Sequence, residues 1–314
     1  MKPLIIIVGP TAVGKSALSI TLAKSLDGEI ISGDSIQVYK KLNIGSAKPS
    51  PKEQQNIPHY LLDLLDPAEP FTVAQFQAQA FAHIEEIRNR GKVPIVVGGT
   101  GLYIRSLIDP FDFSENSSEE IRKFWTQVLI EQGKEKLHQA LRDRDPASAE
   151  RLHLNDTHRI IRALEVYDLT GKPFSEQRGN LDYQYPPLDP SITYIGLTAP
   201  REIIYERINQ RCLDMLNQGL LAETLDLLRE GYSPNLKPLQ SIGYRHAIWF
   251  LTGKATSSEM LRIFQRDTRH FAKRQLTWFR RDPRIKWYDT YNESLTKIEE
   301  ELTTTCRWLE SRVK

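Results

Sequence analysis

Cysteine is nearly absent from this chain: Cys212 and Cys306 are the only two in 314 residues. They show no metal-ligand spacing, and so sparse a pair points to a reducing compartment rather than a disulfide scaffold. Long apolar runs are missing too, since none approaches the ~18–20 residues a membrane span needs. The short run Leu4–Val8 lacks a cleavage-site pattern and leads straight into a glycine-containing turn. It therefore reads as a strand rather than a signal peptide, and a cytoplasmic protein is expected. A charge excess of either sign is also lacking, because the net charge is only +2. Composition therefore does not announce a nucleic-acid partner, which must be argued from where charge clusters. No internal repeat or low-complexity segment is visible, and the length suits one or two domains.

What the chain does have begins close to its amino terminus. Gly9-Pro10-Thr11-Ala12-Val13-Gly14-Lys15-Ser16 fits the P-loop pattern G-x-x-x-x-G-K-[ST], with aliphatic residues before it and a helix-like segment after it. The chemistry requires that order. Backbone N–H groups of the turn face phosphate oxygens, the helix N-terminus adds positive potential, and Lys15 supplies a full charge. The Ser16 hydroxyl is placed to hold Mg²⁺. Strand, turn and helix in sequence make a chance match a poor account, so the chain is expected to grip a di- or triphosphate.

The first part alternates strands and helices, the pattern of a parallel α/β sheet. Strands are expected at Leu4–Val8, Glu29–Ser32 and Val93–Val97, with helices at Ala17–Leu26 and Val73–Arg90. The strands run into the P-loop, into Gly33-Asp34-Ser35 and into Gly98-Gly99-Thr100-Gly101, which should surround one crevice beyond their carboxyl ends. From about Asp112 to Pro187 strand-like runs vanish. Charged amphipathic helices are expected there at Ser118–Glu131, Gly133–Asp143, Ala147–Leu152 and Thr157–Thr170, the last capped by Asn155 or Asp156 and ended by Gly171. Tyr183-Gln184-Tyr185-Pro186-Pro187 reads as a linker back to a strand at Ile192–Leu197, and the remainder as mostly helical. The fold class is α/β, with a P-loop NTPase-like parallel sheet core and an inserted all-helical domain. Residues 1–111 and 188–314 would form the core with its helical C-terminal part, and residues 112–187 the insertion, hinged on it.

A P-loop enzyme that hydrolyses ATP carries an Asp at a neighbouring strand end to help hold Mg²⁺. Val93–Val97 ends in Gly-Gly-Thr instead, which argues against a motor or switch NTPase. Asp34 is the acidic residue at a strand end near the P-loop. An ordinary turn Asp is the commoner case, but beside a phosphate loop it becomes a candidate acceptor or base for an incoming nucleophile. Arg207 and Arg211 are four apart on a helix expected at Pro200–Gln218, so they share a face. Both a solvated surface pair and a lid closing on phosphates fit that spacing. Near the C-terminus, Arg262, Arg266, Arg269 and Lys273 form one helical stripe and Phe264, Phe271 and Trp278 another, with Arg274, Arg280, Arg281, Arg284 and Lys286 extending the positive run. A solvated face is the plain account. Basic charge interleaved with aromatics and Gln275 also suits tracking of a sugar–phosphate backbone. His158-Arg159-Ile160-Ile161-Arg162 and Gln240-Ser241-Ile242-Gly243-Tyr244-Arg245 are further patches, and the three together favour a nucleic-acid substrate.

At this point the residues match a known pattern. The chain resembles the tRNA dimethylallyltransferase (isopentenyltransferase) family over nearly its whole length. The likeness is carried by the Gly9–Ser16 loop, Asp34-Ser35-Ile36-Gln37-Val38-Tyr39-Lys40, Asn43–Pro49, Pro58–Asp63, Val97–Tyr103, Arg162–Val166, Ser241–Arg245 and Lys273–Arg280. Ser16 stands where Thr is frequent, which keeps the hydroxyl, and the zinc-finger extension of many eukaryotic members is not expected. The resemblance implies transfer of a dimethylallyl group from dimethylallyl diphosphate to N6 of adenosine 37 in tRNAs reading codons that begin with U. The loop then cradles the departing diphosphate rather than ATP. It further implies that Asp34 accepts a proton from N6, and that Lys15, the loop amides, Mg²⁺ on Ser16 and Arg211 stabilise the diphosphate, with Thr100 near the bridging oxygen. Arg211 is preferred to Arg207 because it matches the family's catalytic arginine.

An adenine inside a stacked anticodon loop must be extruded to react, so core and insertion are expected to clamp the tRNA anticodon stem-loop. By the resemblance, tRNA faces Asp34, Ser35, Ile36, Gln37, Thr100 and Arg122. It also faces His158-Arg159-Ile160-Ile161-Arg162, Gln240-Ser241-Ile242-Gly243-Tyr244-Arg245 and Lys273-Arg274-Gln275-Leu276-Thr277-Trp278-Phe279-Arg280. A monomer with no membrane partner is expected. A P-loop nucleotide kinase, an isopentenyltransferase acting on free adenine nucleotides and an RNA-binding module with a vestigial P-loop are the rival readings. The first leaves the C-terminal basic segment unexplained, and the second does not need the basic segments.

Overall fold

The computed structural model describes residues 2–110, 118–177 and 185–312. The chain divides into two compact units, Met1–Pro110 with Pro187–Lys314, and Phe111–Pro186.

The first unit is built on six parallel strands: β1 (Leu4–Val8), β2 (Gly28–Ser32), β3 (His59–Tyr60), β4 (Val93–Val97), β5 (Ile192–Thr198) and β6 (Lys286–Asp289), in the order β3-β2-β4-β1-β5-β6. Every residue of β1 is buried, as a strand covered on both faces must be. Its side chains alternate between two cores. Ile5 and Ile7 pack with α1 (Lys15–Leu26) and with α13 (Leu295–Arg312), through Leu18, Leu22, Ile298 and Leu302. Leu4, Ile6 and Val8 face the larger core on the other side. That core is covered by α3 (Val73–Asn89), α4 (Gly101–Ile108), α9 (Arg201–Asn217), α10 (Leu220–Arg229), α11 (Tyr244–Leu251) and α12 (Ser257–Phe279), with the one-turn helix α2 (Pro51–Gln54) preceding β3. Helix α3 shows why these segments are helical: Phe76, Ala80, Ile84 and Ile87 recur on one buried face. Thr72 and Gln75 close a capping box at its start, worth about 1 kcal/mol.

The second unit is helical: α5 (Glu119–Arg144), α6 (Pro146–Arg151), α7 (Thr157–Thr170) and α8 (Phe174–Gln177). Its own core joins Trp125, Val128, Leu137, Leu141, Ala149, Ile160, Ala163 and Leu164. Helix α5 is broken at Gly133, where φ is +83°, at the boundary expected between two helices. Gly171 ends α7 in the left-handed region, as expected. Asp156 occupies the start of α7 but makes no capping bond, and its carboxylate lies 3.2 Å from Arg159 instead. Tyr183 and Gln184 of the expected linker lie outside the described residues. No helix among the described residues is long and apolar enough to cross a membrane.

Candidate active site

The strand order β2-β4-β1 sets three turns side by side at the carboxyl ends of neighbouring strands: residues 33–37 after β2, 98–101 after β4 and 9–16 after β1. The first residue of the last turn, Gly9, has φ +141°, and a Cβ there would lie 2.4 Å from the Leu197 carbonyl oxygen of β5. No other residue fits. Ala12 sits at φ +65°, a left-handed conformation costing roughly 1 kcal/mol for a residue with a Cβ. The loop then enters α1, whose first-turn N–H groups have no helical acceptor and are open to an anion. Lys15 folds back across the loop, its Nζ donating to the carbonyls of Gly9 (3.0 Å) and Pro10 (2.8 Å). Burial and then the charge of Arg211 push the Lys15 ammonium down to about 7, against the opposing pull of Asp34.

Asp34 is half-buried, and its Oδ1 accepts from the N–H groups of Ile36 (2.8 Å) and Gln37 (3.3 Å), a turn closed by its own side chain. Oδ2 accepts no hydrogen bond among the described residues. Burial raises the carboxyl above its ordinary value, offset in part by those two N–H groups and by Lys15 and Arg211. Thr100 begins α4 without capping it. Its Oγ1 instead accepts from the Ser35 N–H (3.2 Å), and its own N–H donates to Gly33 O (3.4 Å). Arg211 is half-buried on α9 and forms no ion pair or hydrogen bond among the described residues. Burial lowers its pKa, and Asp34 and Glu53 pull the other way. Arg207, one turn earlier, is exposed. Two basic side chains without an ion pair among the described residues, and a carboxylate with one oxygen unbonded among them, thus act on one another beside a phosphate-type loop. That set can hold a diphosphate and take a proton next to it.

The sequence profile of the IPP transferase family matches residues 37–282. The chain is 72% identical to the tRNA dimethylallyltransferase of Desulfitobacterium hafniense (strain Y51) over the whole of both chains. This chain belongs to the IPP transferase family. Among solved structures it is similar to the full-length tRNA isopentenylpyrophosphate transferase of Bacillus halodurans, with 37% identity, TM-score 0.72, and 99% of each chain covered. It is also similar to a eukaryotic dimethylallyltransferase acting on tRNA, with 30% identity and TM-score 0.79, covering 95% of this chain and 78% of that one.

The segments expected to face RNA are not uniformly open in this member of the family. On α12, Lys273, Arg274 and Thr277 are exposed, as is Arg280 just past its end, Leu276 and Trp278 are half-buried, and Phe279 and Gln275 are inside. In the segment before α11, Gln240 is exposed and its Nε2 donates to Pro234 O, while Ser241 and Ile242 are half-buried and Gly243 is buried. Tyr244 is fully buried, its hydroxyl donating to Glu223. Arg245 pairs with Asp267 at 2.5 Å, beside His246, which burial pushes down to about 4. In the helical unit, Ile160 lies in the core, Ile161 is half-buried, and His158 and Arg159 are exposed. Arg122 and Arg162 each reach the fully buried Glu165 at 2.8 Å, so one carboxylate presents both arginines. Gln37 is committed to the protein: its Oε1 accepts from Ser32 Oγ, and its Nε2 donates to Ala47 O and Ser46 O. Sequence reasoning did not single out Glu223, which gathers the N–H groups of Asn43, Ile44 and Gly45. No local pattern marks it.

Proposed function

We propose that the chain is a tRNA dimethylallyltransferase that joins the dimethylallyl group of dimethylallyl diphosphate to N6 of adenosine 37, in tRNAs reading codons that begin with U. The N6–C1 bond forms as the C1–oxygen bond breaks. The bonding pair leaves on diphosphate and the N6 proton passes to Asp34. The single observation that carries this reading is the Asp34 carboxylate, whose Oδ2 is unengaged among the described residues, in the electrostatic company of Lys15 and of Arg211, which has no ion pair among them.

Adenine N6 is a weak nucleophile because its lone pair is delocalised into the ring. A carboxylate whose basicity burial has raised suits removal of its proton. Charge grows on the leaving diphosphate, where Lys15, Arg211 and the N–H groups opening α1 would stabilise it. Thr100 orients the Asp34 turn through Ser35. The Ser16 hydroxyl is exposed and donates to nothing among the described residues, and no group of three or more His, Cys, Asp or Glu among them is placed to hold a metal ion. It fits Mg²⁺ held mainly by phosphate oxygens and water, and that ion would supply neutralisation of the leaving group. The exposed cations of α12 and the Arg122–Arg162 pair suit the anticodon stem-loop's phosphates.

The test incubates protein, Mg²⁺, dimethylallyl diphosphate and unmodified tRNA with adenosines at positions 36 to 38, followed by mass spectrometry of the nucleosides. Prenylated adenosine is expected, and none when ATP replaces the prenyl donor. Asp34→Asn keeps the acceptor for Ile36 and Gln37 but cannot take the proton, so kcat is expected to fall by about 10²-fold or more. Unchanged turnover in that variant would remove Asp34 from the chemistry.

A further inference from the structure

We infer that Gln275 is a positioning residue for the diphosphate loop, not an RNA contact. The inference rests on the function proposed above. Gln275 lies on α12 within a basic run, but its side chain points the other way and is 6% exposed. Its Oε1 accepts from the Thr11 N–H at 2.9 Å, and its Nε2 donates to the Gly99 carbonyl at 3.1 Å. One amide thus spans the loop after β1 and the turn after β4.

The approach is close: a Cβ on Gly99 would stand 2.0 Å from Gln275 Nε2, so glycine there makes room for the bridge. From Gly99 the connection continues to Thr100, whose hydroxyl holds Ser35 beside Asp34. Gln275 therefore sets the spacing between the loop that would hold diphosphate and the turn that would hold the base. Taking up the Thr11 N–H also fixes which amides of the loop stay open to phosphate. The exposed neighbours Lys273, Arg274 and Thr277 leave RNA contact to the opposite face of the same helix.

The test compares Gln275→Met, of similar length with no hydrogen bonding, with Gln275→Glu, which keeps an acceptor for Thr11 but sets a carboxylate against Gly99 O. Steady-state constants for both substrates and calorimetric binding of inorganic diphosphate are measured, with thermal melts confirming the fold. Both variants are expected to raise KM for dimethylallyl diphosphate and Kd for inorganic diphosphate by about tenfold, the effect of losing one to two buried hydrogen bonds. KM for tRNA should stay within about twofold. A variant that does not fold leaves the other to decide. A rise in KM for tRNA alone, or a drop in kcat and melting temperature with both KM values unchanged, overturns the inference. Wild-type protein that prenylates no tRNA overturns the function it rests on instead.

Discussion

Lys15 shows how one side chain can link loop geometry to pH. Burial and Arg211 hold its ammonium near 7, so below that pH it is charged and above it increasingly neutral. Asp34 is ionised only above its raised value. The kcat/KM for dimethylallyl diphosphate, which reports the free enzyme, is therefore expected to fall as pH rises through about 7. It should also fall at acid pH, earlier than for an ordinary carboxylate. Lys15→Arg stays charged, so it should lose the alkaline limb; a limb that persists in that variant belongs to another group. The sign for stability follows, since the fold disfavours the charged lysine. Its contribution improves as pH rises from about 7 toward the ordinary 10.5. Lys15 was legible from the spacing of the Gly9–Ser16 motif, and Asp34 because it lies two residues past the end of β2. Helical spacing alone puts Arg207 and Arg211 on one face and does not separate them, and only the family resemblance favours Arg211; packing leaves Arg207 exposed and Arg211 half-buried, acting on Lys15.

Helix α12 has a buried face and an exposed, basic one. Phe264, Thr268, Ala272, Gln275 and Phe279 form its buried stripe. A glutamine inside such a stripe is the signal that could have identified Gln275 as internal. Composition suggested basic and aromatic interleaving but could not say which side met the sheet. Lys273 and Arg274 are exposed, so Lys273→Ala and Arg274→Ala are each expected to weaken tRNA binding most at low salt. Each should reduce the slope of log affinity against log salt by about one contact. Slopes equal to wild type would make this face an ordinary solvated surface. The short strands β3 and β6 were missed. A two-residue edge strand has no periodicity to read, and Lys286-Trp287-Tyr288-Asp289 continues a charged run.

Across the whole molecule, separate cores predict separable behaviour. One unit packs around the sheet, and the helical unit packs around Trp125, Leu137 and Ile160. Inorganic diphosphate at about a hundred times its Kd stabilises the unit that binds it by about 2.7 kcal/mol. In a calorimetric scan the upward shift is expected only in the transition of the unit carrying Gly9–Ser16, and a shift confined to the helical unit would place the anion elsewhere. The alternation of strands and helices, the phosphate loop and the helical character of the inserted segment were all determined locally. They depend on side-chain periodicity and on turn residues adjacent in the chain. Only tertiary structure decided that Gln275 bridges two loops, and that Glu165 and Glu223 organise groups distant in sequence. Those outcomes depend on which faces meet when the sheet and its helices bury their apolar surface, and periodicity along one element does not name its partner.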